Sequence, residues 1–116
     1  GLALGYGVAR LARLVARDAT RRVGDVLGLS LAEWRMLLVT PPDEAASLEE
    51  LADRALLEKS HASIAATALA AGRLVRRTPS AEDRRRVLFT RTPRGTRSVH
   101  AYLAATAVER RALWSV

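Results

Sequence analysis

Cysteine is absent from the 116 residues, which excludes disulfides, thiolate metal sites and thiol-based redox sensing. Histidine is scarce, and His61 and His100 stand far apart in the chain, a poor basis for a metal site. Long apolar runs are also missing. None approaches the roughly 20 residues of a membrane span, and "GLALGYGVARLARLVAR" at the start carries too many arginines for one. Aromatic residues make up 4%, too few to favour a helix lying in a lipid surface. No signal-peptide pattern opens the chain, so a cytoplasmic location without membrane contact is expected. "GYG" at 5–7 lacks the strand, helix and further glycines of a phosphate loop. No serine sits in a nucleophile elbow and no acid pair stands out. The sequence therefore offers no catalytic residue, metal site or cofactor, and an enzyme is not expected. With no internal repeat or low-complexity linker, the chain reads as one domain with one core.

What is abundant is alanine, leucine and valine, in an apolar fraction of 49%, as expected of a folded helical protein. Positive charge is abundant too: nineteen Lys plus Arg oppose twelve Asp plus Glu, a net charge of +7. Lys59 is the single lysine. Arginine at this density has a bland source, a GC-rich coding sequence, and a chemical one, since its planar fork bonds phosphate bidentately. A cationic surplus favours an anionic partner, nucleic acid first and anionic lipid second.

Apolar periodicity predicts mostly helices. Leu4, Val8, Leu11, Val15, Ala19, Val23 and Val26 mark one face of a helix over residues 2–27, with Arg10, Arg13, Arg17 and Arg21 on another and Gly28 as its stop. Ser30 and Glu33 have capping-box spacing and open a helix over about 31–39, buried through Leu31, Trp34, Leu37 and Leu38. Met36 also reads as core. Pro41 and Pro42 end it, and "PPDEAA" is expected to be a loop. Ser47 and Glu50 repeat the capping spacing before an apolar stripe of Leu48, Leu51, Ala52 and Ala55. The next helix is expected from Lys59 to Ala71, with Ile64, Ala65, Ala68 and Leu69 inward and Gly72 ending it. Two short, tightly joined helices are the material of a helix-turn-helix.

After Gly72 the period changes. "RLVRRTP" and "RRVLFTRT" are β-favourable arms joined by "SAED", a polar turn. Thr92 and Pro93 then have the form of an N-cap and first helical position, and Val99, Leu103, Ala107, Arg110 and Leu113 continue a helix to the end. The fold class expected is mainly α with a small β-hairpin: a winged helix-turn-helix flanked by long terminal helices. In such a fold the second helix of the pair enters the major groove and the hairpin reaches the adjacent minor groove, whose negative potential draws arginine where it is narrow. Arg84, Arg85 and Arg86 are placed for that contact. Asp83 is expected to accept hydrogen bonds from the Arg85 guanidinium and orient it.

"LSLAEWRMLL", "SLEELADRALLEKSHAS" and "LVRRTPSAEDRRRVLFTRTPRG" resemble the MarR family of bacterial transcription regulators over nearly the whole chain. The most specific elements are Asp83-Arg84-Arg85 and the helix start Thr92-Pro93-Arg94-Gly95. The resemblance implies a homodimer on double-stranded, pseudo-palindromic operator DNA, commonly a repressor released by a small aromatic or phenolic effector. It divides the chain into a dimerisation helix at 1–29, a DNA-binding winged helix at 30–92 and a second dimerisation helix at 93–116, expected to be incomplete. Arg85 would enter the minor groove with Asp83 as its partner. Ser60, His61, Ser63 and Thr67 would face the major groove, and the helix start at Ser47 and Leu48 would approach phosphate through backbone N–H groups. Tyr6, Arg10, Trp34 and His100 are the effector-pocket candidates. Trp34 also reads as core, His61 and His100 as surface, and Arg10 as part of a solvated face.

This chain departs from the family pattern at Ile64, which stands where a long polar residue is common. "ASIAATALAA" holds few groups that read base edges, since bidentate readout uses Arg, Lys, Asn or Gln. That poverty motivates the alternative of a winged-helix protein-interaction module with weak or no specific DNA binding. Arg73 occupies the family's usual glycine position, and Arg91 a wing position that is often apolar, so a less regular hairpin is expected there.

Overall fold

The computed structural model describes residues 21–107 and 111. Tyr6 and Arg10, with the rest of the first predicted helix before residue 21 and most of the chain after 107, lie outside the described residues. The described part of helix α1, residues 21–27, stops at Gly28, whose φ of 70° is the left-handed conformation that favours glycine. Helix α2 (Leu31–Val39) opens with the expected capping box. Ser30 N–H donates to Glu33 Oε1 at 2.8 Å and Glu33 N–H to Ser30 Oγ at 3.1 Å. Then follow β1 (Ala46–Ser47), α3 (Leu48–Ala55), α4 (Lys59–Ala71), β2 (Val75–Pro79), β3 (Val87–Arg91) and α5 (Pro93–Ala105). The architecture is mainly helical with a three-stranded antiparallel sheet in the order β1-β3-β2.

Strand β1 lies at the end of the stretch expected to be a loop. Ala46 pairs with Phe89 and Ser47 with Leu88. Two residues carry no period, so only the partner strand defines them as a strand. The second capping motif differs from the first. Glu50 N–H donates to Ser47 Oγ at 3.2 Å as expected, but the Glu50 carboxylate accepts from the Ser47 hydroxyl at 3.2 Å rather than from its backbone.

The core gathers Val23, Trp34, Met36, Leu37, Leu51, Leu69, Val75, Phe89 and Val99 with a set of alanines. Three residues expected inside are outside: Leu38 is 43% exposed and Ile64 70%, and Ala68 is exposed. Val26, on the predicted apolar face of the first helix, is also exposed at 41%. In α4 the buried residues are Ala62, Ala65, Ala66 and Leu69. This helix packs closely on α2 and α3, where an alanine surface fits and a branched side chain would hold the helices apart.

Both helices of the helix-turn-helix close on a non-glycine residue with positive φ, Leu56 at 56° and Arg73 at 61°. At the end of α4, Arg73 N–H donates to Ala70 O at 3.0 Å and Leu74 N–H to Leu69 O at 2.9 Å, the paired bonds of a Schellman closure. Gly72, expected to end the helix, has a φ of −81°, so the left-handed turn falls on Arg73.

The hairpin is regular through Arg91, against expectation. Arg91 pairs with Val75, its N–H donates to Pro41 O at 2.9 Å, and its guanidinium donates to Thr96 Oγ1 at 3.1 Å and Leu37 O at 3.4 Å. A long donor thus joins α2, β3 and α5 where an apolar residue would only pack. Thr92 caps α5, accepting from Gly95 N–H at 3.0 Å, while its hydroxyl faces Arg73 O at 2.7 Å. Gly95 is obligatory in this approach. A Cβ there would overlap the Leu74 carbonyl and lie 2.9 Å from Arg91 Cγ.

Candidate nucleic-acid interface

The connection between β2 and β3 spans residues 80–86, longer than the four-residue turn read from "SAED", and it contains all three wing arginines. Ser80 N–H donates to Arg86 O at 2.8 Å and closes the loop at its base, and Arg86 N–H donates to Asp83 O at 2.9 Å. Ser80 is buried, and its Oγ accepts from the N–H groups of Glu82 and Asp83 at 3.3 and 3.4 Å. Asp83 Oδ1 accepts from Arg85 N–H at 3.0 Å. The orienting bond expected from Asp83 to the guanidinium is therefore a bond to the backbone: an aspartate turn that shapes the loop and leaves the Arg85 side chain outward. Arg84, Arg85 and Arg86 are exposed. The ion pairs found among the described residues, Glu50–Arg54 at 3.6 Å and Glu49–Lys59 at 2.9 Å, involve none of them.

The wing faces helix α4 across a groove of about 220 Å³, lined by Leu48 and Glu49 of α3, Ser63 and Thr67 of α4, Arg77 of β2, and Arg85, Arg86, Val87 and Phe89. Five of the expected site residues, Leu48, Ser63, Thr67, Arg85 and Arg86, meet here. Arg77 joins them without having been singled out. Its partner in register is Phe89, and its guanidinium lies 5.9 Å from the Phe89 ring centroid, a cation–π distance. Alternation along "LVRRTP" could have placed Arg77 on one face of the arm, but not opposite α4.

Glu49 is the acid in this cationic groove. The hydrogen bond from Lys59 holds its carboxyl below the usual carboxylate range, helped by its own backbone N–H and by the charges of Lys59 and Arg86. Ser47 is 1% exposed and its hydroxyl is committed to the α3 cap, so its side chain is not presented outward. Its part is to hold the start of α3. Ser60, His61, Ser63 and Thr67 are exposed on α4, although the Thr67 hydroxyl already donates to Ser63 O at 2.9 Å.

The two effector candidates among the described residues, Trp34 and His100, are not brought together. Trp34 is buried against Tyr102, with ring centroids 4.4 Å apart, and the core reading accounts for it. His100 is exposed on α5, and two residues from Tyr102 it points away from that ring pair. Another groove, of about 240 Å³, lies between the start of α2 and α4, lined by Ser30, Ala32, Glu33, Leu57, His61, Ile64 and Ala65. It contains neither Trp34 nor His100. Among the described residues no cluster of three or more His, Asp or Glu is placed to hold a metal ion, and no helix is long and apolar enough to cross a membrane.

A helix pair followed by an arginine-bearing hairpin, set between helices α1 and α5, defines the winged-helix class of DNA-binding regulators. The MarR family model matches residues 27–86, and the chain belongs to the MarR family of transcriptional regulators. Comparison with curated proteins returns no match. Among solved structures, the transcriptional regulator BldR from Sulfolobus solfataricus is similar at 28% identity and a TM-score of 0.79, covering 99% of this chain and 83% of its own. MarR itself aligns at 22% identity and a TM-score of 0.78, covering 93% and 81%. A mutant of S. aureus MepR bound to an oligodeoxyribonucleotide aligns at 18% identity and a TM-score of 0.71, covering 97% and 82%. The last two share the fold.

Proposed function

We propose that this chain regulates transcription by binding a pseudo-palindromic operator as a homodimer, with α4 in the major groove and the 80–86 wing in the minor groove, and that it acts as a repressor released by a small aromatic effector. The observation that carries the DNA-binding part is the groove in which Arg77, Arg85 and Arg86 face Ser63 and Thr67 of α4. Phosphate fits its charge, and the unpaired, outward Arg85 on a hydrogen-bonded loop suits a narrow minor groove. The DNA-bound MepR structure supports the mode by likeness of fold. Dimerisation is assigned to residues 1–29 and 93–116, which flank the winged helix of 30–92.

Selection of bound sequences from random duplex DNA, followed by titration against salt, tests this reading. Operator affinity should fall with salt at a log–log slope of about −0.9 per phosphate contact, and Arg85→Ala should weaken binding roughly tenfold, the order of one charge-assisted contact. Repeating the titration with aromatic acids tests the effector. The exposed Leu56 and Ile64, at 86% and 70%, favour a second reading as a protein-interaction module. That reading predicts no DNA shift even at low salt.

A further inference from the structure

The outward stripe of helix α4 is chemically unusual for a recognition helix. Its buried set is Ala62, Ala65, Ala66 and Leu69. At 3.6 residues per turn, the direction opposite that set runs through Ser60, Ile64, Thr67 and Ala71, and all four are exposed. Ile64 is the largest of them and is 70% exposed. The stripe contains no Arg, Lys, Asn or Gln, and the Thr67 hydroxyl is turned back onto its own helix. The most projecting side chain on this stripe is therefore a branched hydrocarbon.

In the major groove the base edges present hydrogen-bonding groups, with one apolar exception, the C5-methyl group of thymine. We propose that Ile64 is a specificity-determining residue that reads a thymine by burying this methyl group against its side chain. The half-site then carries a thymine opposite the middle of α4. The inference rests on the operator-binding reading above. Ile64 itself borders the groove of Ser30, Glu33, Leu57 and His61; what favours a polyanion on this helix is the neighbouring face, where Ser63 and Thr67 of α4 share a groove with Arg77, Arg85 and Arg86. Such a contact also explains how a helix without bidentate readers discriminates sequence, since the methyl distinguishes thymine from cytosine as well as from purines.

The test exchanges one methyl group at a time. Duplexes carrying the selected operator are prepared with single thymines replaced by deoxyuridine in one half-site. Each is titrated with the full chain and with its Ile64→Val and Ile64→Ala variants. At one thymine the wild type should lose about fourfold in affinity, the value of one buried methyl. Ile64→Val should retain most of that response and Ile64→Ala none of it. Because Ile64 is exposed, neither variant threatens the core. Equal responses of wild type and Ile64→Ala at every thymine overturn the methyl contact while leaving operator binding intact. If the wild type selects no sequence and shows no salt-dependent binding, the regulator reading fails and this inference with it. Ile64 would then mark a protein-docking face.

Discussion

Asp83 Oδ1 accepts the Arg85 N–H at 3.0 Å, an interaction that needs an acceptor and not a charge. Asp83→Asn keeps an oxygen in place, so operator affinity should be retained. Asp83→Ala removes it and should weaken binding roughly twofold to tenfold, the value of one loop-ordering hydrogen bond. Equal loss in both variants, measured by fluorescence anisotropy, would show that the charge acts directly. Glu49 gives a pH prediction with a defined sign. Its carboxyl is held below the ordinary range, chiefly by Lys59. A depressed carboxylate contributes stability that is present above its unfolded pKa and is lost as pH falls through the lower folded value. Carboxyl chemical shifts should therefore titrate Glu49 at lower pH than a free glutamate, and Lys59→Ala should move the midpoint upward. An unchanged midpoint would remove Lys59 as the cause. At this scale the sequence singled out Asp83 and Arg85 but not the atom that joins them, because the choice between a guanidinium and an N–H depends on loop geometry.

Local patterns foretold both the beginnings and the ends of α2 and α4, but not the backbone conformation that closes them. Ser30, Ser47 and Thr92 all cap helices, since a cap needs only residues three positions apart. Helix α4 ends at Ala71 with Gly72 as its cap, as expected, but the positive φ falls on Leu56 after α3 and on Arg73 after α4, whose side chains give no sign of it. A non-glycine residue in that conformation costs about 1–2 kcal/mol, so Arg73→Gly should stabilise the protein by about 1 kcal/mol after the added chain entropy of glycine is deducted. Chemical denaturation checks this, and a lower midpoint would mean that the Arg73 side chain contributes more than its backbone costs. The hairpin was legible as two arms and a turn. The loop is longer than the "SAED" turn because Arg85 and Arg86, assigned to the second arm by composition, belong to it while β3 starts at Val87.

At the scale of the whole molecule, apolar surface is left on elements outside the wing: Val26 is 41% exposed, Leu38 43% and Leu103 38%. A second copy of the chain is the occupant proposed for the α1 and α5 surfaces. Leu103→Glu should shift the protein to a monomer by analytical ultracentrifugation. It should also abolish high-affinity binding to a two-half-site operator, whose halves lie about 34 Å apart. A charged monomer that bound as tightly would contradict the dimer. The same variant should keep its winged helix, because Leu103 lies outside the core that joins α2, α3, α4 and the sheet.

The sequence by itself determined the helices, their caps, the place of the wing and the family, because each depends on residues a few positions apart or on the order of segments. The tertiary structure alone decided which side of α4 faces outward. Alanine and isoleucine mark the same period, and only the close packing of α4 on α2 and α3 selects the alanines for the interior and turns Ile64 out. It also decided β1, the placing of Arg77 opposite α4, and the joining of Arg91 to Leu37, the first and last through contacts between segments distant in the chain.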